Sequence, residues 1–256
     1  MKIIVGCKLV PEEQDIAVQA DGTLDTSKAA PKISQFDLNA IETAVGIKAE
    51  IADSSIAAMS LGGKELENTK ARKDILSRGP DELVAIIDEG LKGALPHQTA
   101  SLMAAAARKV GFDLIICGDG SGDLYAQQVG MRLGAELEVP TLNGVSKIVS
   151  VASDKLTVER ALESEVEVLE VPLPAVISVS TDINVPTIPG MKAILGAGKK
   201  PVNAMALADL EDGGAALVEM VEIKAPKKKE RKNVIIEGDG DDQIAEFISH
   251  LRTIVN

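Results

Sequence analysis

Four short runs of strand character, Lys2–Cys7, Ser54–Leu61, Glu82–Ile87 and Leu114–Cys117, the last rich in β-branched residues, alternate with stretches of helical spacing through the first half of this chain. Runs of that length, closed by glycine or turn residues, read as buried strands. Strands that alternate with helices need crossover connections, and a parallel sheet with helices on both faces satisfies them. The expected fold class is α/β, a parallel sheet with helices on both faces. A ligand of such a sheet sits beyond the carboxyl ends of the strands, where the strand order reverses.

Helices are expected over Phe36–Glu50, Lys64–Ser77, Thr99–Val110 and Asp123–Leu137. Phe36, Ala40, Ile41, Ala44 and Ile47 recur at helical spacing, and Ser34 with Asp37 resembles a capped start. Gly111 suits the position just past a helix end. Leu124, Gln128, Met131 and Ala135 form one face of the last helix. Between the first strand and first helix, Ala20-Asp21-Gly22-Thr23 signals a small hairpin joining Ile16–Val18 to Thr23–Leu24. Beyond Pro140, the runs Ser146–Val151, Lys155–Leu162, Glu165–Val171 and Ala175–Val179 read as an antiparallel extension of the sheet.

Two later features lie outside that pattern. Thr181–Met191 is a polar loop stiffened by prolines around Ile188, a suitable anchor for a partner. Asp209–Gly214 breaks the pattern, and the basic run Lys224–Lys232 reads as a solvated linker. A terminal helix over Asp241–Val255 carries Ile244, Phe247, Ile248, Leu251 and Ile254 on one side, a stripe that must be buried on its own domain or on a second chain. The expected division is a nucleotide-binding domain over residues 1–212 and a linker with a helical arm over 213–256.

The ligand-bearing stretch is Asp113–Gly130. Its strand ends abruptly in Gly118-Asp119-Gly120-Ser121-Gly122. Glycines let a ligand approach the backbone, and the free N–H groups of a following helix suit a phosphate. Spacing alone leaves a structural tight turn and a nucleotide cradle equally open. In the second reading Gly118, Gly120 and Gly122 turn N–H groups to a phosphate. Ser121, Asp123, Gln127 and Gln128 then bond phosphate or ribose, and Gly6 and Cys7 line the adenine.

Composition removes other classes. A net charge of −12 argues against a nucleic-acid surface, and 2% aromatic residues argue against base-stacking platforms. No run approaches a membrane span, and the N-terminal apolar run is too short for a signal peptide, so the expected compartment is cytoplasmic. Cys7 and Cys117 read as small buried hydrophobes rather than a redox pair. His97 and His250 are not in metal-ligand spacing, and no Walker loop, G-x-G-x-x-G after the first strand, or G-x-S-x-G elbow is present. The expectation from the residues is a nucleotide-binding α/β domain without visible hydrolytic machinery, with no catalytic residue and no metal, plus an arm that needs a partner. The rivals are an ATP-using hydrolase of the same general fold and a free-standing nucleotide sensor.

Several segments carry a resemblance: MKIIVGCKLVPEEQDI, KISQFDLNAIE, RKDILSRGPDEL, CGDGSGDLYAQQVG and TDINVPTIPGMKAILGAGKKPV. Over nearly its whole length the chain resembles the β subunit of electron transfer flavoprotein, in the Fix-type branch linked to carnitine and acyl-CoA metabolism. The resemblance implies a Rossmann-like fold of the adenine nucleotide α-hydrolase-like form. It also implies an electron carrier rather than an enzyme, in a heterodimer with a larger, FAD-carrying α subunit. It implies a second nucleotide in this chain: AMP in simple members, FAD in electron-bifurcating ones. The positions it implies for that nucleotide are Gly6, Ser34, Gln35, Phe36, Asp37 and Leu61. They continue through Gly118, Asp119, Gly120, Ser121, Gly122, Asp123, Leu124, Tyr125, Ala126, Gln127, Gln128 and Val129. Pro186, Thr187, Ile188, Pro189, Gly190 and Met191 match the loop that docks on acyl-CoA dehydrogenases, with Ile188 nearest its anchor, and the terminal arm matches the segment that wraps the α subunit. Family members often carry Gln where this chain has Gly120, and many have a longer docking loop.

Overall fold

The computed structural model describes residues 1–210, 216–227 and 233–255. Among the described residues, thirteen strands and six α-helices follow in chain order. The strands are β1 (Lys2–Gly6), β2 (Leu9–Pro11), β3 (Ala17–Val18), β4 (Leu24–Asp25), β5 (Pro31–Ile33), β6 (Ser55–Gly62), β7 (Glu82–Ile87), β8 (Leu114–Gly118), β9 (Thr141–Val151), β10 (Lys155–Ala161), β11 (Val166–Pro172), β12 (Ala175–Val179) and β13 (Val202–Met205). The helices are α1 (Gln35–Glu50), α2 (Thr69–Ser77), α3 (Pro96–Val110), α4 (Val129–Leu137), α5 (Met191–Ala197) and α6 (Asp241–Val255).

Nine strands form one sheet in the order β11-β10-β9-β12-β8-β1-β6-β7-β13. From β9 to β13 every pairing is parallel; only β10 and β11 run antiparallel to their neighbours. The α/β expectation holds, but the extension is smaller than expected. Ala175–Val179 is not part of it: β12 lies inside the parallel sheet between β8 and β9, and all five of its residues are buried. A buried run does not reveal which neighbour it will pair with. The strand order reverses at β1, which pairs in parallel with β8 on one side and β6 on the other.

Two apolar layers cover the sheet. On one face Ala40, Ile41, Ala44 and Ile47 of α1 and Ile75 and Leu76 of α2 pack on Ile3, Val5, Ile56 and Ile116. On the other, Ala100, Leu102, Met103, Ala104 and Ala107 of α3 and Leu133 of α4 pack on Ile4, Met59, Ile115 and Val176. Each fully buried Ile or Leu contributes roughly 1.5–3 kcal/mol relative to exposure. Alanines along α3 let that helix lie close to the sheet.

Glycines do the same for α4. A Cβ at Gly130 would lie 2.1 Å from Ser178 Oγ on β12, and one at Gly134 would lie 1.8 Å from Thr141 Oγ1 on β9. At these two positions helix α4 meets the sheet with its backbone, while Leu133 supplies the side-chain contact.

Four local expectations are corrected. The Lys64–Ser77 helix is split: a 3₁₀ turn at Lys64–Glu67 precedes α2, which Asn68 caps by accepting from the amides of Lys70 and Ala71. Helix α3 starts three residues early because Pro96 fits the first helical position. Helix α4 starts at Val129 rather than Asp123, because Tyr125 and Gln127 adopt positive φ of 46° and 54°. Leu124 and Gln128 thus lie outside the helix, and its buried face is Gly130, Leu133 and Gly134, with Met131 exposed. Met191, expected on a loop, opens α5.

The chain forms two compact units, Met1–Ala17 with Asp25–Glu222, and Val18–Leu24 with Ile223–Asn256. In the second, Thr23 bridges Lys224, and the amide of Ala225 donates to Gly22 O at 2.9 Å. Among its described residues no side chain of α6 is buried, so the stripe of Ile244, Phe247, Ile248, Leu251 and Ile254 is exposed. The expected boundary at residue 212 and the basic residues 228–232 lie outside the described residues.

Candidate functional site

The carboxyl ends of β1, β6 and β8 and the first turn of α1 lie together at one edge of the sheet, with the loop 119–128 above them. Gly6, Cys7, Ser34–Asp37, Leu61 and Gly118–Val129 all belong to these segments. Leu61, at the end of β6, packs partly into the α3-side core, and so does Val129 at the start of α4. Gln35 is exposed on the first turn of α1.

Asp37 ties the edge together. Its carboxylate is buried and accepts from the amide of Lys8 at 2.7 Å and from that of Gly118 at 3.3 Å. Lys8 follows β1 and Gly118 ends β8, so one side chain joins the two strands across which the sheet reverses. Burial pushes the Asp37 carboxyl up to about 7, against the lowering effect of those two amides. Lys8 Nζ pairs with Asp123 Oδ2 at 2.6 Å. Burial raises the Asp123 carboxyl, but the Lys8 ammonium and the Ser121 hydroxyl outweigh it and hold it below its ordinary value.

The glycines have separate tasks. A Cβ at Gly118 would meet Phe36 Cβ at 2.6 Å and Asp37 Oδ1 at 2.7 Å, so glycine there allows α1 to approach β8. The amide of Gly122 donates to Ser34 Oγ at 3.3 Å, which is why Ser34 occupies the cap position of α1 without a capping hydrogen bond. The amides of Gly118 and Gly122, both expected at a phosphate, are thus engaged inside the protein. The room expected beside Gly6 is also narrow: a Cβ there would lie 3.2 Å from Cys117 Sγ. Cys117 and Cys7 are buried, and burial pushes the Cys117 thiol up to about 12 and the Cys7 thiol well up. Neither is a thiolate at neutral pH.

Over Gly120 lies the ring of Tyr125, which also meets Phe36 at a centroid distance of 5.3 Å and an angle of 40°. The chain holds three Phe and one Tyr, and one of each pack together here, with Tyr125 54% exposed. Counting aromatics over the whole chain had hidden this pair; together they present a face on which a base can stack. Gln127 Nε2 donates to Asp119 Oδ2 at 2.9 Å, and Ser121 Oγ to Asp123 Oδ1 at 2.6 Å. Sequence reasoning also missed His97 and Arg132, which lie on α3 and α4 beside Ala126 and Gln128. The uncapped start of α3 at Leu95-Pro96 was the available signal.

The residues fit an adenine nucleotide. An aromatic face, a backbone loop too crowded for side chains at Gly118 and Gly120, and polar groups on Ser121, Gln127 and Gln128 suit a base, a sugar and a phosphate. Among the described residues no group of His, Cys, Asp and Glu is arranged for a metal ion. No helix is long and apolar enough to cross a membrane.

A second surface lies on the other side of α1. Asn39 Nδ2 donates to Thr181 O and Asn184 O at 3.2 and 2.8 Å, and Asn184 Nδ2 donates to Asn39 O and Thr43 Oγ1 at 3.1 and 2.9 Å. The amide and hydroxyl of Thr187 donate to Glu42. The loop is pinned at both points, yet Val185, Ile188, Met191 and Leu195 are exposed, Ile188 by 87%. Asn184→Ala removes the donor that serves Asn39 O and Thr43 Oγ1 and is expected to cost about 2 kcal/mol. Protease cleavage within 181–190 should quicken in step; an unchanged cleavage rate would show that the clamp does not hold the loop.

A family model described as the electron transfer flavoprotein domain matches residues 21–210. The matched range contains α1, the loop 119–128 and the exposed 185–191 segment.

Proposed function

The chain belongs to the electron transfer flavoprotein domain family, whose members are electron carriers rather than enzymes and bind flavin or nucleotide, and on that premise we propose that it is the β-type subunit of a heterodimeric carrier. It binds an adenine nucleotide at the edge formed by β1, β8, α1 and the loop 119–128, FAD in the first reading and AMP in the second. The observation that carries this is the pairing of Phe36 with Tyr125 over Gly120, above the strand ends that Asp37 joins.

A bound flavin supplies the redox chemistry; the protein binds, orients and tunes it. In this chain Phe36 and Tyr125 stack the base. Ser121, Gln127 and Gln128 bond sugar and phosphate. Asp37 and Ser34 hold the loop that carries them. The partner subunit covers the apolar stripe of α6. Pro186–Met191 docks a dehydrogenase of the acyl-CoA type with Ile188 as the anchor, and the setting is carnitine and acyl-CoA metabolism in the cytoplasm. Support for docking comes from a loop that is rigidly tied to α1 and still exposes its largest apolar side chains, which lowers the ordering cost of association. An ATP-using hydrolase is disfavoured because the Lys8 ammonium and the Asp123 carboxylate are paired with each other and the Cys7 and Cys117 thiols are buried and protonated, so none of the four is free to act on a phosphate.

Gly120→Val tests the site. Its Cβ would fall 2.4 Å from the Tyr125 ring and drive it off Phe36. Nucleotide released on denaturation should drop by about tenfold or more, with a melting midpoint close to wild type, since the loop edge is partly open. Full nucleotide retention in that variant would place the ligand elsewhere.

A further inference from the structure

Two loops spring from adjacent strand ends of the sheet. The loop 119–128 follows β8, and the segment 180–190 follows β12, its parallel neighbour. They are joined at their roots, where the amide of Asp119 donates to Val179 O at 2.9 Å. Further out, both are tied to α1 at successive turns. Where the helix begins, Ser34, Phe36 and Asp37 hold the first loop and its root at Gly118. On the next turn Asn39, Glu42 and Thr43, spaced three and four positions apart, hold the second. Asn39 and Thr43 are themselves linked, Thr43 Oγ1 donating to Asn39 O at 2.8 Å. One short stretch of helix thus supports both loops.

Both grips are incomplete. The Ser34 hydroxyl, 3.3 Å from the Gly122 amide, leaves α1 without the cap that a serine at this position ordinarily supplies. When the loop 119–128 withdraws, the same hydroxyl can turn to the free amides of its own helix, so this turn has two discrete arrangements. Asn39 Nδ2 donates to Thr181 O, Asn184 O and Asn184 Oδ1, whereas Asn39 Oδ1 is buried with no hydrogen-bond partner. A buried acceptor left unpaired costs free energy, so the clamp on 180–190 is held against an opposing term. An element with two arrangements and a small gap between them can be biased from either end.

We propose that α1 couples the two loops: nucleotide on the loop 119–128 favours the clamped form of the segment 180–190, and the clamp in return favours nucleotide binding. This rests on the proposed nucleotide reading of the loop. A ligand packed on Phe36 and Tyr125 holds the loop against α1 and keeps Ser34 on Gly122. The second turn then stays in register with Asn184 and Thr187, and the exposed Val185 and Ile188 are presented at a fixed place. Asn39 and Glu42 are positioning residues, acting through the helix rather than on the nucleotide. Linkage makes the two effects equal in size.

The test uses the full-length chain with its partner subunit, stripped of nucleotide by dialysis and refilled with AMP or with FAD. Gly120→Val, poor in nucleotide without dialysis, provides a second empty form. Protease cleavage within 181–190 is expected to run about fivefold or more slower in the refilled protein than in either empty form. Glu42→Ala removes both acceptors of Thr187, and Asn184→Ala removes the donor to Asn39 O. Each variant should lose part of that protection, and its Kd for AMP should rise by the factor lost. A clamp that is structural alone leaves Kd unchanged. Equal cleavage rates with and without bound nucleotide overturn the proposal and leave the nucleotide reading standing. Variants cut faster with unchanged Kd do the same. Wild type that binds neither AMP nor FAD overturns both.

Discussion

Gly134→Ala is expected to destabilise this protein by about 3 kcal/mol, although the same change in the middle of an ordinary helix stabilises by about 1 kcal/mol. The sign is decided by the sheet beneath α4. The added methyl would lie 1.8 Å from Thr141 Oγ1 and 2.8 Å from Thr141 Cβ and Cγ2, well inside contact distance. Neither group has somewhere to go: Gly134 is buried, and Thr141 Oγ1 already donates to Val139 O at 2.9 Å. The helix must therefore lift, and with it Gln128 and Arg132. Urea denaturation reads the stability loss directly. Removing the obstructing side chain in the double variant Gly134→Ala with Thr141→Gly should recover part of it. A single variant as stable as wild type would show that α4 does not meet the sheet closely at Gly134.

Asp37→Asn should give the second large effect, one that changes with pH. The native carboxyl has its value raised to about 7 by burial, whereas an unfolded aspartate titrates near 3.9. Between those values the folded protein binds more protons than the unfolded chain. Stability from this group is therefore fully present in acid and is lost as pH rises through about 7. The shift corresponds to on the order of 4 kcal/mol across that window. Lys8 and Asp123, the charged neighbours, act in opposite senses on Asp37. Asparagine keeps one acceptor for the amides of Lys8 and Gly118 and loses the other, a cost of about 1–3 kcal/mol at any pH. Wild type should thus exceed Asp37→Asn most clearly near pH 5, and the two urea midpoints should converge toward pH 8. Parallel midpoints over that range would mean that Asp37 does not change its proton uptake on folding.

The buried strands were the readable part of the fold. β7 and β12 lie where their apolar runs predicted, and β1 and β8 differ by one residue at an end, because runs of Ile, Leu and Val bounded by Gly, Asp and Pro admit few alternatives. The neighbours of a strand were less readable. Nothing in Ala175–Val179 itself says that it inserts between β8 and β9. The segment 123–128 read as helix because Leu, Ala and Gln favour one; its interruption comes from left-handed Tyr125 and Gln127, which no glycine announces. Asn68, in contrast, was a visible cap that could have divided the Lys64–Ser77 helix. For the candidate site, the strand ends and the glycine loop were legible from composition and spacing. The stacking of Phe36 on Tyr125 and the convergence of α3 with α4 were not, since each joins residues about ninety and thirty positions apart through the sheet order.

That sheet order also sets a timetable. The meander of β9, β10 and β11 is hydrogen-bonded to the remaining strands solely through β12, the last of the group to leave the ribosome. Until residue 179 has emerged, β8 is left with an open edge and the meander has no strand to join. Closure then demands that a short, wholly buried strand insert between two waiting neighbours, both in parallel register. Such non-local pairing is slow, and the unpaired edges are exposed to other chains while it is pending. A nascent chain stalled before β12 is accordingly a client for chaperones, and a truncation at Pro172 removes the keystone of the sheet rather than trimming its end.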